Sequence, residues 1–349
     1  LALLYCTNFG FMLNYILTGT YHHYIKESNM INIKDIEAAY ERIEKYVWRT
    51  RLEKSLYLSD KDTEAYMKLE CEQPIVKNFK LRGVLGKLTL LTDQQLKKGY
   101  GTISSGNQGV SVAYASQLLN LDKPYIVVPE TTPKPKLEKM EKFGADIHFF
   151  GKSFDEANGL GEAVFEEKGI VKIDAREDVE GLYGTGTIGM EILQQLPDVD
   201  VVLIPKGSGG NCIANGSYFR QAKPDVKIIA VEPENSPALT TNLKTGVWTK
   251  FFDTPEDAIM QSLVGGCAKN TFDNAKDCID EILLVSDAEV KDAIYEMAQN
   301  EKVIAEPDSA AVYAAYKKYR HMFEGKKTAM IITGGNISKE LFREIMSDH

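Results

Sequence analysis

The chain has 349 residues, 44% hydrophobic and 26% charged, which is enough to bury a substantial core in two domains or one large α/β domain. Its formal net charge is −9, with no run of five like charges and no basic stretch interleaved with aromatics, so composition argues against a nucleic-acid partner and for a small-molecule site. The five cysteines, Cys6, Cys71, Cys212, Cys267 and Cys278, are scattered without a CxxC pair. That pattern supports neither a disulfide framework nor a zinc site and points to a reducing, cytoplasmic compartment.

The first 25 residues carry no charged side chain and many aromatics, but they lack a basic leading region. Asn8, Asn14, Thr18, Thr20, His22 and His23 interrupt the apolar run that a membrane span of about 20 residues needs. Residues 1–30 are therefore expected to be an extension outside the core fold, with a membrane anchor as the minor alternative. From residue 33, Ile33, Ile36, Tyr40, Ile43 and Val47 recur at helical spacing. Short apolar runs then alternate with helix-length segments. Strands are predicted at 65–70, 125–130, 146–151, 201–205, 227–233, 281–285 and 329–333, and "YGTI" (100–103) precedes a loop in the same manner. Several runs lack polar alternation, as expected of strands covered by helices on both faces, so the fold class is α/β with a mostly parallel, doubly wound sheet.

Ligands of such sheets sit at the carboxyl ends of strands, which draws attention to three loops: "SSGNQG" (104–109), "GSGGN" (207–211) and "TGGN" (333–336). Each is expected to enter a helix, where free backbone N–H groups can hold a phosphate or carboxylate. A fourth stretch, "GTGTIG" (184–189), matches GxGxxG and would support an NAD-dependent oxidoreductase, but no strand precedes it. Gly184, Gly186 and Gly189 read better as helix-start and packing glycines. No GxxxxGK[ST], HExxH or GxSxG pattern is present.

Within "IVKNFKLRG" (75–83), Lys80 is either an ordinary surface lysine or an amine held for covalent chemistry. The ordered set "NFKLRG", "SSGN", "GSGGN", "EP" (306–307) and "TGGN" decides between them, because it resembles the fold type II pyridoxal-phosphate enzymes. Within these, the threonine/serine dehydratase and serine racemase group is most similar. Further matching segments are 42–55, 184–193, 231–239 and 305–315, so the likeness runs from about residue 33 to the end.

The resemblance implies two domains, each a mostly parallel twisted sheet flanked by helices: a large cofactor domain of 31–98 plus 177–349 and a small domain of 99–176. It implies that Lys80 forms the imine with pyridoxal 5′-phosphate, with Phe79 packed near the ring. Asn107 would hydrogen-bond the ring's 3′-oxygen, and Ser104, Ser105, Gly106, Asn107 and Gln108 would hold the substrate carboxylate. Gly207, Ser208, Gly209, Gly210 and Asn211 would take the phosphate, and the Thr333 hydroxyl would face the pyridine nitrogen. A neutral hydroxyl there gives a weaker electron sink than an Asp would, which favours loss of a β-hydroxyl. The implied activity is an ammonia-lyase (dehydratase) acting on L-threonine or L-serine, with Lys80 moving the Cα proton. Ser105, able to serve the opposite face, keeps a serine or amino-acid racemase, or a dehydratase of a different hydroxy amino acid, as the alternative. A homodimer is also implied.

Several positions depart from the pattern. "PIVKNFK" is one residue longer than usual before the lysine, Gln108 stands where His is frequent, and Ser208 replaces a Gly. Glu232 matches one ligand of the divalent-cation site found in some relatives, but Ser236 and Ala238 follow it, so no metal is expected and Glu232 is otherwise a solvated strand-end carboxylate. No end-product control is expected after His349.

Overall fold

The computed structural model describes residues 30–250, 252 and 254–349, so the expected extension lies, apart from Met30, outside the described residues. Asn32 caps α1 (Ile33–Ile43) by accepting from Lys34 N at 2.9 Å, and Ile36, Ala39 and Ile43 bury the stripe that the helical spacing foretold. There follow β1 (Leu52–Lys54), β2 (Glu64–Lys68), α2 (Lys80–Leu88), α3 (Asp93–Lys98), β3 (Tyr100–Ile103), α4 (Asn107–Leu118) and β4 (Tyr125–Val128). Next come α5 (Lys134–Lys142), β5 (Asp146–Phe149), α6 (Phe154–Lys168), β6 (Val171–Lys172), α7 (Val179–Gln195), β7 (Val201–Pro205) and α8 (Gly210–Ala222). The chain closes with β8 (Lys227–Pro233), α9 (Ala238–Thr245), α10 (Lys269–Cys278), β9 (Glu281–Val285), α11 (Asp287–Glu296), α12 (Pro307–Lys318), β10 (Lys327–Ile331) and α13 (Lys339–Asp348). No described helix is long and apolar enough to cross a membrane.

The strands form a six-stranded sheet, β1-β2-β10-β7-β8-β9, and a four-stranded sheet, β5-β4-β3-β6. Among the described strands only the β1–β2 pairing is antiparallel. The fold is thus the parallel-dominated α/β arrangement expected. β7 is buried at all five positions, Val201 to Pro205, because helices cover both of its faces. β1 and β6 have no apolar run long enough to announce them. The loop at 333–336 does not enter a helix directly, contrary to expectation: its backbone pairs with residues 77–79, and α13 starts only at Lys339.

The glycines of "GTGTIG" lie in the interior of α7, which begins at Val179, so they do not start the helix and no strand leads into them. They are packing glycines. A Cβ at Gly184 would collide with the Arg82 carbonyl oxygen, and one at Gly186 would lie 2.7 Å from Ile36 Cδ1. The helix-start part of the sequence reading is thereby corrected and the packing part stands, since the motif serves the close approach of α7 to α2 and α1.

Behind that contact lies a cluster of four fully buried charges. Arg82 on α2 donates two bonds to Glu70 at 2.8 Å and two to Glu191 on α7 at 2.8 Å. Lys68 Nζ, at the end of β2, donates to Glu191 at 2.5 Å, to Thr50 O at 2.8 Å and to Gln195 at 2.9 Å. All four side chains are 0% exposed, and two cations balance two anions. Arg82→Met leaves two buried carboxylates facing one ammonium; it is expected to lower the unfolding free energy by about 3–5 kcal/mol in urea titrations.

Candidate active site

The loops that follow β2, β3, β6, β7 and β10 all leave the carboxyl ends of parallel strands, and they meet around Lys80. Lys80 is the first residue of α2, its N–H donating to Asn78 Oδ1 at 3.0 Å. Asn78, buried, is itself held by Ser111 Oγ at 3.1 Å and by its own bond to Val76 O at 2.8 Å. The 333–336 loop grips this stretch: Phe79 N donates to Thr333 O at 2.9 Å, Gly335 N to Lys77 O at 2.9 Å and Asn336 Nδ2 to Val76 O at 2.8 Å. Ile75 and Lys77 have φ of 64° and 56°, left-handed values that cost a side-chain-bearing residue of order 1–3 kcal/mol when held by their surroundings.

The Lys80 amine lies 4.8 Å from the centroid of the Phe79 ring. Burial pushes it down to about 8 from the ordinary 10.5, and the Arg176 guanidinium adds to the effect while Asp174, Asp308 and Glu306 oppose it. A neutral amine is therefore accessible near physiological pH, which a surface lysine does not offer.

Thr333 is buried, and its hydroxyl meets Ser309 Oγ at 2.9 Å. Ser309 Oγ already accepts from Gly334 N at 2.6 Å, so its own proton can go to Thr333, leaving the Thr333 O–H free to donate elsewhere. Asn107, at the start of α4, donates to Glu306 Oε1 at 2.7 Å and accepts from Asn336 at 2.8 Å. Burial first, then the neighbouring Asp308, pushes the Glu306 carboxyl up. Ser104 Oγ accepts from Gly106 N at 3.2 Å, and Gln108 Nε2 donates to Ile173 O at 3.3 Å. The half-buried Ser105 hydroxyl bonds no described residue.

Across from this loop, Gly207, Ser208 and Gly209 lead from β7 into α8, whose first residues are Gly210 and Asn211. Gly209 has φ of 98°, and a side chain there would collide with Thr271; a Cβ at Gly207 would collide with Ser262 O. Only glycine fits at these two positions. Asn211 is buried, its Oδ1 accepting from Asn215 at 2.8 Å, and its Nδ2 is a donor with no partner among the described residues. A helix N-terminus with an unclaimed buried donor suits an anion such as a phosphate.

Glu232 is buried rather than solvated, which corrects the sequence reading. Its carboxylate accepts from Lys206 Nζ at 2.8 Å, Leu239 N at 2.9 Å, Thr240 N at 2.9 Å and Thr240 Oγ1 at 2.8 Å. Those four donors occupy the acceptor positions that a metal ion would need. Sequence reasoning missed Lys206, Asn78, Ser309 and Arg176. Ser309 lay inside the matching segment 305–315 and Asn78 opens "NFKLRG", both without an assigned role, while Lys206 and Arg176 carried no local signal.

Residues 43–334 match the family described as pyridoxal-phosphate dependent enzyme. This chain belongs to that family. L-threonine ammonia-lyase of Thermotoga maritima is 33% identical over 321 residues, covering 91% of this chain and 79% of its own. The structure of processed threonine deaminase isoform 2 from Solanum lycopersicum is similar with a TM-score of 0.84 at 31% identity, covering 90% of this chain and 91% of that one. Maize serine racemase is similar with a TM-score of 0.83 at 28% identity, covering 92% and 98%. The family's cofactor is pyridoxal phosphate, and the residues present fit it: a lysine amine of lowered pKa, a glycine cradle at a helix start and an unpartnered Asn211 donor.

Because the amine must be neutral to attack an aldehyde, capture of pyridoxal phosphate by the apoprotein, trapped with borohydride, is expected to rise with pH and reach half its plateau at about pH 8. A midpoint at the ordinary lysine value of 10.5 would contradict the environment described here.

Proposed function

We propose that this chain is an ammonia-lyase that removes water from a hydroxy amino acid, L-threonine or L-serine, and delivers a 2-oxo acid and ammonia. The observation that carries the reading is the neutral Thr333 hydroxyl, able to accept from Ser309 and keep its own O–H to donate, in the same site as the Lys80 amine. Bound here, pyridoxal phosphate supplies an aldehyde for the substrate amine and a conjugated ring that accepts the electron pair left at Cα.

The protein's own groups do the rest. Backbone amides of Gly207 to Asn211 and the Asn211 side chain hold the phosphate. Asn107 would hold the ring by a hydrogen bond, while Glu306, its carboxyl pushed toward the neutral form, would add little negative charge beside it. Ser104, Ser105, Gly106, Asn107 and Gln108 hold the substrate carboxylate at the start of α4. The Lys80 amine takes the Cα proton, and its lowered pKa keeps it able to do so. The Thr333 hydroxyl, unlike a carboxylate, would not hold a proton on the ring nitrogen, and that setting would favour elimination of the β-hydroxyl.

Racemisation is the second reading, favoured by the unengaged Ser105 hydroxyl, which could return a proton to the opposite face. The two sheets support a division into 31–98 with 177–349 and 99–176, because β3 to β6 fall within the latter. A homodimeric, cytoplasmic enzyme fits this reading.

Lys80→Ala is expected to abolish the visible absorption of bound cofactor and to lower 2-oxo acid formation from both amino acids by roughly 10²–10⁴-fold. Undiminished turnover in that variant would defeat the assignment. Ser105→Ala should retain elimination while losing interconversion of L- and D-serine, read by chiral chromatography.

A further inference from the structure

The segment between β6 and α7 touches both loops that the proposed function uses to hold anions. Ile173 O accepts from Gln108 Nε2 at 3.3 Å and from Thr102 Oγ1 at 2.9 Å, and Ala175 O lies 3.2 Å from where a Cβ on Gly210 would stand. Arg176 is the next residue. It is exposed, its guanidinium lies 5.5 Å over the Phe154 ring, and it has no carboxylate within ion-pair distance among the described residues. Of its acidic neighbours in sequence, Glu177 forms no ion pair with it, and Asp174 is already engaged, binding Lys172 Nζ at 2.6 Å and accepting from the Arg176 backbone N–H at 2.7 Å.

The unpaired guanidinium's charge also acts on the Lys80 amine, lowering its pKa after burial has done so, while Asp174, Asp308 and Glu306 oppose it. From the other side, Lys139 Nζ donates to Asn336 Oδ1 at 3.2 Å, and Asn336 in turn holds Asn107 at 2.8 Å. Two cations therefore stand beside the loops of the site in a chain of net charge −9. Serine and threonine bring one carboxylate, and the amides of 104–108 are sufficient for it. A guanidinium at 5.5 Å over an aromatic ring is oriented but lacks its anion.

We propose that Arg176 reads the substrate's side chain and that the preferred substrate is a hydroxy amino acid bearing a second carboxylate, of the 3-hydroxyaspartate class. This deepens the elimination reading and rests on it. In the reaction the Cα–H and Cβ–O bonds break, one water leaves, and hydrolysis of the released imine consumes one water and yields ammonia and a 2-oxo dicarboxylate. No oxidant or reductant is required.

The test compares kcat/KM of the holoenzyme for 3-hydroxyaspartate, L-serine and L-threonine, in the wild type, Arg176→Ala and Arg176→Lys. The wild type is expected to prefer 3-hydroxyaspartate. In Arg176→Ala the ratio of kcat/KM for 3-hydroxyaspartate over L-serine should fall about 10- to 100-fold, mainly through KM, as loss of a charged hydrogen bond predicts. Arg176→Lys should restore part of it. Calorimetric titration with succinate, a dicarboxylate with no amine to react, should show weakened binding in Arg176→Ala. A wild type that eliminates serine or threonine and ignores 3-hydroxyaspartate would overturn the proposal while leaving the elimination reading intact. An equal fall for all three substrates would make Arg176 a holder of the common carboxylate and equally overturn it. No elimination from any of them would defeat the underlying reading and the proposal with it.

Discussion

Four charges in a dry interior decide where the reactive lysine stands. Arg82 is two residues beyond Lys80, and its guanidinium is fixed from two directions, by Glu70 just past β2 and by Glu191 on α7. The guanidinium's planar fork makes paired bonds to each carboxylate, so α2 cannot rotate or slide without breaking several at once. Each charge would be costly alone in such surroundings, and only the complete set with Lys68 is tolerable. The arrangement need not stabilise the fold more than an apolar core would. What it does is allow one register of β2, α2 and α7, and the position of Lys80 follows from that register.

On this frame the site is assembled by backbone as much as by side chains. The 333–336 loop uses its amides and carbonyls to hold 76–79, so the segment that presents Lys80 and the segment that carries Thr333 are one hydrogen-bonded unit. Glycine is needed where chain meets chain: Gly184 against Arg82, Gly207 against Ser262 and Gly209 in a left-handed turn beneath Thr271. The cradle that results opens α8 and carries one buried donor, Asn211 Nδ2, with no partner among the described residues.

Much of this was legible beforehand. The apolar runs at 201–205, 227–233 and 281–285 coincide with β7, β8 and β9, because buried parallel strands leave an unbroken hydrophobic signature. The glycine loops stood out since their composition is itself the structural requirement. β1 and β6, three and two residues long, depend on neighbours rather than on their own sequence. Glu232 was misjudged because a carboxylate at a strand end usually meets water, whereas its partner Lys206 is 26 residues away and could not be paired with it by spacing. Ser309 and Arg176 were invisible for the same reason: their meaning comes from groups brought near by the fold, Thr333 in one case and Lys80 in the other. "GTGTIG" was the reverse case, a pattern whose glycines serve helix contact and not ligand contact.

The pairing of Lys206 with Glu232 has a consequence for how the protein responds to its medium. Lys206 directly precedes Gly207, so a positive charge stands at the root of the anion cradle on a covalent stem. A counter-ion held by the chain has an effective concentration that dilution, dialysis or a chelator cannot change. Its donation to Gly266 O at 3.3 Å also binds the loop past Leu263 to the end of β7. The electrostatic setting of the cradle therefore includes a cation and a counter-ion that both belong to the chain.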